Sequence, residues 1–261
     1  MHHESHLKGH IFALIAVTIW GACIAASKVA LVALKPTELM SIRIGVALIV
    51  ATIIHPKPLG WLGWKNERLY ILAAACGVTF FFYFQNTALL YTSSSNVAVF
   101  TALAPIVTAL LAPLLLKVDR PRGLFYVGCA VALAGIVCTV FNSTTTLNLN
   151  PFGDFLAFCV ALIWGLYAII SRKISALGHK QIPSTRKMLF YALLMALPIT
   201  FANGITANPA EVFQPDVIVA ILYLGVLGSM ISYFFWSRAI HDLGSVRAST
   251  YVYFEPVVTI I

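Results

Sequence analysis

Two ionisable side chains fall where a chain this apolar has least use for charge. Glu255 lies roughly ten residues inside one apolar run and Arg43 about seven residues inside another. A charge at the centre of a bilayer costs on the order of 3 kcal/mol on insertion scales, so such a carboxyl must face a cavity, find a partner or stay protonated. A proton held at Glu255 and released on contact with water is the chemistry of ion coupling. A hydrogen-bonded structural carboxyl packed against the first half of the chain is the competing role. Arg43 has three outlets: snorkelling outward along its apolar stem, pairing with Glu38, or presenting a cation to a substrate carboxylate.

Rings gather at similar depths. Trp20, Tyr83, Phe100, Trp164, Tyr167, Tyr233, Trp236 and Tyr251 all sit near the middle of apolar runs. A cavity walled by such side chains suits apolar or aromatic solutes and holds an ammonium group by cation-π attraction, although the same residues also serve to pack helices. Asn86, with Gln85 beside it, offers hydrogen bonds to a polar headgroup or to a neighbouring helix. Pro105 and Pro256 each lie about 11 residues into a run. A mid-helix proline frees the carbonyl four residues back, here Thr101 and Val252, so each predicts a kink near the midplane, where repeat-built transporters place substrate.

Soluble catalysis and metal chemistry leave no trace. The chain has no phosphate loop, no nucleophile elbow and no zinc-type spacing. Cys23, Cys76, Cys129, Cys138 and Cys159 all fall in apolar runs and read as small core hydrophobes needing neither metal nor disulfide. The N-terminal His2, His3 and His6 read as a solvated tail, and no cofactor is expected.

The elements that must position these residues are membrane helices. Of 261 residues 60% are hydrophobic and 10% charged, against about a quarter charged in soluble domains, and the mean hydropathy is +0.91. Lipid is therefore the solvent. About 20 residues span a hydrocarbon core of about 30 Å. Runs of that kind occupy 9–32, 36–54, 68–90, 94–116, 123–141, 153–171, 187–203, 218–240 and 246–261, giving nine spans with the last cut short.

The chain also repeats itself. Ile19-Trp20-Gly21 returns 144 positions later as Ile163-Trp164-Gly165, while Gly77, Phe84, Ala88 and Pro105 return 151 positions later as Gly228, Phe235, Ala239 and Pro256. Two ordered sets of matches describe one membrane unit written twice. The first copy covers 1–141, a linker covers 142–152 and the second copy covers 153–261. Five spans precede the linker, so the second copy is inverted relative to the first. By internal analogy the second copy lacks about 30 residues, the remainder of its fourth helix and all of its fifth.

Fourteen of the 17 Lys and Arg residues fall at the ends that are cytoplasmic if the N-terminus is cytoplasmic, including Lys57, Lys65, Lys117, Arg120, Arg172, Arg186 and Lys187. Lys35 alone lies in an opposite loop. This asymmetry predicts a cytoplasmic N-terminus and an extracytoplasmic linker. The same placement directs the basic excess towards headgroups rather than nucleic acid. Trp61 and Trp64 read as interfacial anchors beside the inner end of the third span.

Several of these features together resemble the EamA-type proteins of the drug/metabolite transporter superfamily. They are Trp20-Gly21 and Trp164-Gly165, Arg43, the turn from Ala88 to Ser94, Ala104-Pro105, and Glu255-Pro256. The resemblance covers essentially the whole chain. It departs at Asp119-Arg120, where the family usually has Glu-Arg, and at the tenth helix. It implies an all-α polytopic bundle of two inverted five-helix repeats around a central cavity, moving small metabolites, often outward as amino acids or related solutes.

The expectation is thus a multi-pass protein of a bacterial inner membrane whose partners are lipid and a small-molecule substrate. Without an ATP-binding motif its energy would come from a gradient. A fragment without transport activity is an alternative, and an intramembrane enzyme would need clustered Asp, His or Ser-Lys pairs that an isolated Glu255 does not supply.

Overall fold

Every element follows from one constraint: within lipid each backbone N–H and C=O must be satisfied inside its own segment, which leaves the helix as the available form. The structure, a computed structural model, describes residues 2–142 and 150–260, and most of the linker expected at 142–152 lies outside the described residues. Among the described residues there is no strand. The long helices are α1 (His2–Ala30), α2 (Pro36–Ile54), α3 (Trp64–Tyr91), α4 (Ser94–Leu116), α5 (Gly123–Asn142), α6 (Pro151–Ser175), α7 (Gln181–Ala202) and α8 (Pro215–Leu243). A broken helix, α9, runs through 245–260. Seven of these, all but α5 and α9, have a described stretch that is long and apolar enough to cross a membrane. The protein is a polytopic helical bundle.

Seven of the nine expected spans are recovered, several with shifted starts. α3 begins at Trp64 rather than 68, α7 at Gln181 rather than 187, and α8 at Pro215 rather than 218. The extra turns carry polar residues such as Lys65, Asn66 and Glu67, which continue a helix beyond the apolar run that betrays it. Local chemistry fixes the new starts. Pro36, Pro151 and Pro215 stand in first helical turns, where a missing N–H costs nothing. Asn150 caps α6 by accepting the N–H groups of Phe152 and Gly153, each at 3.1 Å.

Neither proline kinks a continuous helix. α4 breaks at 102–103 and resumes at Ala104, placing Pro105 in a new first turn. In α9 a 3-10 segment, Thr250–Phe254, precedes a fresh α-helix beginning at Glu255. The Val252 carbonyl expected to be free accepts the N–H of Glu255 instead. Tightening to i→i+3 bonds before the proline satisfies the backbone that an uninterrupted helix would have left open.

Loop contacts sort into two ends of the bundle. At one end Glu38 accepts the N–H groups of Thr206 at 2.6 Å and Ala207 at 3.0 Å, and Thr92 donates to Asp154 at 2.8 Å. At the other end Arg186 donates to the carbonyls of His55 and Pro56, and Arg172 to those of Ile240 and His241. Apolar side chains face outward in quantity, among them Ile53, Leu114, Val131 and Val219, while Arg43, Asn86, Gln85 and Glu255 are buried. Polarity turned inward is the arrangement lipid demands.

Candidate functional site

The two tryptophans of the repeated Trp-Gly motif meet at the centre. The Trp20 and Trp164 rings stand edge to face with centroids 5.0 Å apart. Trp236 lies 5.1 Å from Trp20, and Tyr167 lies 4.9 Å from Trp164. Tyr233 closes the group against both tryptophans, and Phe81 packs on Trp164 at 4.9 Å. These separations and tilts fall in the range favoured by ring quadrupoles. The rings fill the middle of the bundle by packing on each other.

Backbone geometry makes room for them. α3 contains a π-helical stretch, Ala75–Thr79, and α8 contains a longer one, Tyr223–Ile231. Each holds one of the paired glycines. A side chain on Gly77 would come within 2.2 Å of the Tyr167 ring, and one on Gly228 within 2.4 Å of the Cys23 sulfur. The widened turns leave carbonyls to be satisfied from outside: the Tyr233 hydroxyl donates to Gly77 O, and Trp20 Nε1 donates to Gly228 O at 3.2 Å.

Beside the rings is a cavity of about 20 Å3, room for one water. Arg43, Glu255, Trp20, Trp164, Gln85 and Thr101 line it, together with Cys23, Phe81 and Phe82. Arg43 neither snorkels nor reaches Glu38, whose carboxylate is taken by the N–H groups of Lys35, Thr206 and Ala207. It is fully buried instead, because Gly228 opens a path for its guanidinium: a Cβ there would stand 3.3 Å from Nη2. Nε donates to Ser229 Oγ at 3.0 Å, and the guanidinium carbon lies 3.6 Å from the centre of the Phe82 ring. Such a stack is worth about 2 kcal/mol when desolvated. Nη1 has no hydrogen-bond partner among the described residues. The Glu255 side chain is buried and enters no ion pair there. One cavity thus collects an incompletely paired cation, a carboxyl and two indole rings.

The remaining candidates are dispersed. Tyr167, Tyr233 and Trp236 form a second layer behind the tryptophans. Asn86 donates to the carbonyl of Pro36 at 3.2 Å and bridges α3 to the start of α2. Tyr83 is half-buried beside Phe84, and Phe100 packs against the separate cluster around Ile24 and Leu89. Tyr251 meets His10 through its hydroxyl and stacks on Phe254. Pro105 and Pro256 start helices and do not line the cavity.

Cys23, Phe81, Phe82 and Thr101 also line the cavity, although the sequence pattern assigned none of their side chains a site role. Phe81 and Phe82 are hidden in the run Phe80 to Phe84, where only the helix phase at the π stretch selects the inward pair. Cys23 and Thr101 had a usable signal in their places one turn from Trp20 and Pro105.

The model of the EamA-like transporter family matches residues 7–141 and 151–261. The chain belongs to that family. A membrane transporter role agrees with the names of its relatives. An uncharacterized transporter of Archaeoglobus fulgidus is 27% identical over 266 residues, covering 97% of this chain and 87% of the relative. The uncharacterized inner membrane transporter YedA of Escherichia coli is 24% identical over 262 residues, covering 98% and 81%. A solved crystal structure superimposes with a TM-score of 0.77 over 98% of this chain and 87% of its own at 16% identity, which speaks to the fold alone. The EamA-like chain shows, among its described residues, no group of three or more His, Cys, Asp or Glu able to hold a metal.

Proposed function

We propose that the protein is a secondary exporter of amino acids or closely related zwitterions, with a proton as counter-ion. The observation that carries this reading is the convergence of Arg43 and Glu255 on one enclosed cavity between indole rings. The free Nη1 of Arg43 would take a substrate carboxylate, a charge-assisted bond worth about 1.5–3 kcal/mol. The Glu255 carboxylate and the tryptophan faces would take the ammonium. Substrate ammonium and proton then compete for the same carboxylate. Because an empty charged Glu255 is costly at this depth, the return step runs with the proton bound.

A cavity of about 20 Å3 admits no amino acid, so the packed rings represent a closed centre that must part towards one face at a time. The halves 1–141 and 153–261 move against each other as inverted copies in this reading. Its support lies in reciprocal contacts. A Cβ on Gly21 would strike Val258, and one on Gly165 would strike Val107, two valines that are themselves 151 positions apart. Each copy's Trp-Gly helix therefore packs on the other copy's proline helix. The distribution of positive charges supports a cytoplasmic N-terminus, and the name of the relative YedA supports an inner-membrane location. In this reading the chain moves its solute without making or breaking covalent bonds.

Flux of radiolabelled amino acids in proteoliposomes, with and without an imposed pH gradient, tests the proposal. Counter-directed accumulation that collapses with the gradient is expected. Flux equal to that of protein-free vesicles, or indifferent to the gradient, refutes it.

A further inference from the structure

A crevice of about 330 Å3 opens at the end of the bundle that carries most of the basic residues, far larger than the central cavity. Its rim is the 55–63 loop, and its walls come from the ends of α2 and α7. A buried ion pair forms one side: Lys187 Nζ lies 2.7 Å from Glu67 Oε1 and donates to Gly60 O at 2.7 Å. Tyr191 and the N–H of Leu62 complete the shell of Glu67. That pair neutralises Lys187.

Arg186, next to it, is different. Its Nη1 donates to the carbonyls of His55 at 3.0 Å and Pro56 at 2.7 Å, yet no carboxylate neutralises it among the described residues. Arg186 is partly buried, and the exposed Lys57 and Lys65 stand in and just after the 55–63 loop to which it donates. Trp61 lines the mouth, 66% exposed, with its ring 5.4 Å from that of the exposed Trp64. Towards the membrane the crevice is lined by Leu48 and Phe190, the latter 48% exposed among the lipid-facing side chains of α7.

We infer that this crevice is a binding site for an anionic phospholipid, its phosphate on Arg186, its glycerol region against Trp61 and one acyl chain along Leu48 and Phe190. Charge complementarity selects the anionic headgroup: a fixed, unneutralised guanidinium at the polar end of lipid-facing helices meets the phosphates of a membrane leaflet. The apolar wall selects a lipid over a free anion, because inorganic phosphate would leave Leu48 and Phe190 uncovered. Exposed tryptophans at the same level are the side chains that favour the headgroup boundary. A bound lipid would brace the 55–63 loop against α7 independently of what the central cavity carries.

Native mass spectrometry of the purified full chain with phosphatidylglycerol or phosphatidylcholine tests the inference. One phosphatidylglycerol should persist under activation that removes phosphatidylcholine. Arg186→Gln should lower the lipid-bound fraction about fivefold, the worth of one basic residue near a membrane surface. Phe190→Ser, on a lipid-facing position that leaves the loop hydrogen bonds in place, should lower it without changing charge. It keeps the test decisive if Arg186→Gln fails to fold. Equal retention of both lipids, or no loss in Phe190→Ser, overturns the site. Displacement by millimolar inorganic phosphate assigns the crevice to a free anion and overturns the lipid. A lipid-free dimer that disappears in Phe190→Ser assigns it to a second copy, with the same result.

Discussion

Replacing Gly21 by alanine places a methyl carbon 2.5 Å from Val258 Cβ, 2.7 Å from its Cγ1 and 3.1 Å from the backbone oxygen of Glu255. Carbon atoms rest at about 3.5–4.0 Å, so α9 must retreat by roughly 1 Å. Val258 has little freedom to turn aside, being β-branched within a helix, and the carbonyl of Glu255 belongs to the backbone. Overpacking of this kind costs about 1–3 kcal/mol. Alanine also favours a helix interior over glycine by about 1 kcal/mol, and that gain must be separated from the clash. Gly45, inside α2, supplies the control because a Cβ there meets nothing within 4 Å. Gly45→Ala should raise the melting midpoint of detergent-solubilised protein, whereas Gly21→Ala should melt lower than Gly45→Ala by the equivalent of the whole clash. Gly165→Ala, which meets Val107 at 2.5 Å, should behave as Gly21→Ala does. Equal midpoints for the Gly21 and Gly45 variants, followed by tryptophan fluorescence during heating, would refute the close approach of α1 and α9.

Two further predictions concern the ion pair and the topology. Because Lys187 and Glu67 are 8% and 0% exposed, Glu67→Gln or Lys187→Met alone should destabilise by about 3–5 kcal/mol, and the double variant by clearly less. A thermal double-mutant cycle reads this coupling, and simple additivity would contradict a shared buried pair. Lys57→Cys and Lys180→Cys should react with impermeant maleimide only from the cytoplasmic side of intact or inverted membranes, and Glu211→Cys only from the other. Labelling of positions 57 and 180 from opposite sides would undo the inverted arrangement.

Much of the bundle was legible because lipid leaves so few options. Long apolar runs mark helices, and the recurrence of Trp20-Gly21 at Trp164-Gly165 pointed to the two rings that meet at the centre. The polar ends were less visible: α7 starts six residues before its apolar run, since Gln181, Ser184 and Arg186 continue the helix into the headgroup level. The prolines marked the right places with the wrong local geometry, because a 3-10 segment before Pro256 costs less than an open carbonyl in lipid. Arg43 keeps three possible outlets in the sequence for a tertiary reason. Its burial depends on Gly228, Ser229 and Phe82, nearly two hundred residues away in one case and forty in the other, and no pattern around Arg43 itself records them. The π-helical stretches were likewise silent, although their glycines, Gly77 and Gly228, were among the recurring residues.

The most direct measurement is ligand-induced thermal stabilisation of the purified protein by matched solutes: an α-amino acid, the amine lacking its carboxylate and the acid lacking its ammonium. Wild type should be stabilised only by the solute with both charges. Arg43→Gln should lose the dependence on carboxylate and Glu255→Gln the dependence on ammonium. Stabilisation by the zwitterion that survives both substitutions unchanged would contradict a site built on Arg43 and Glu255.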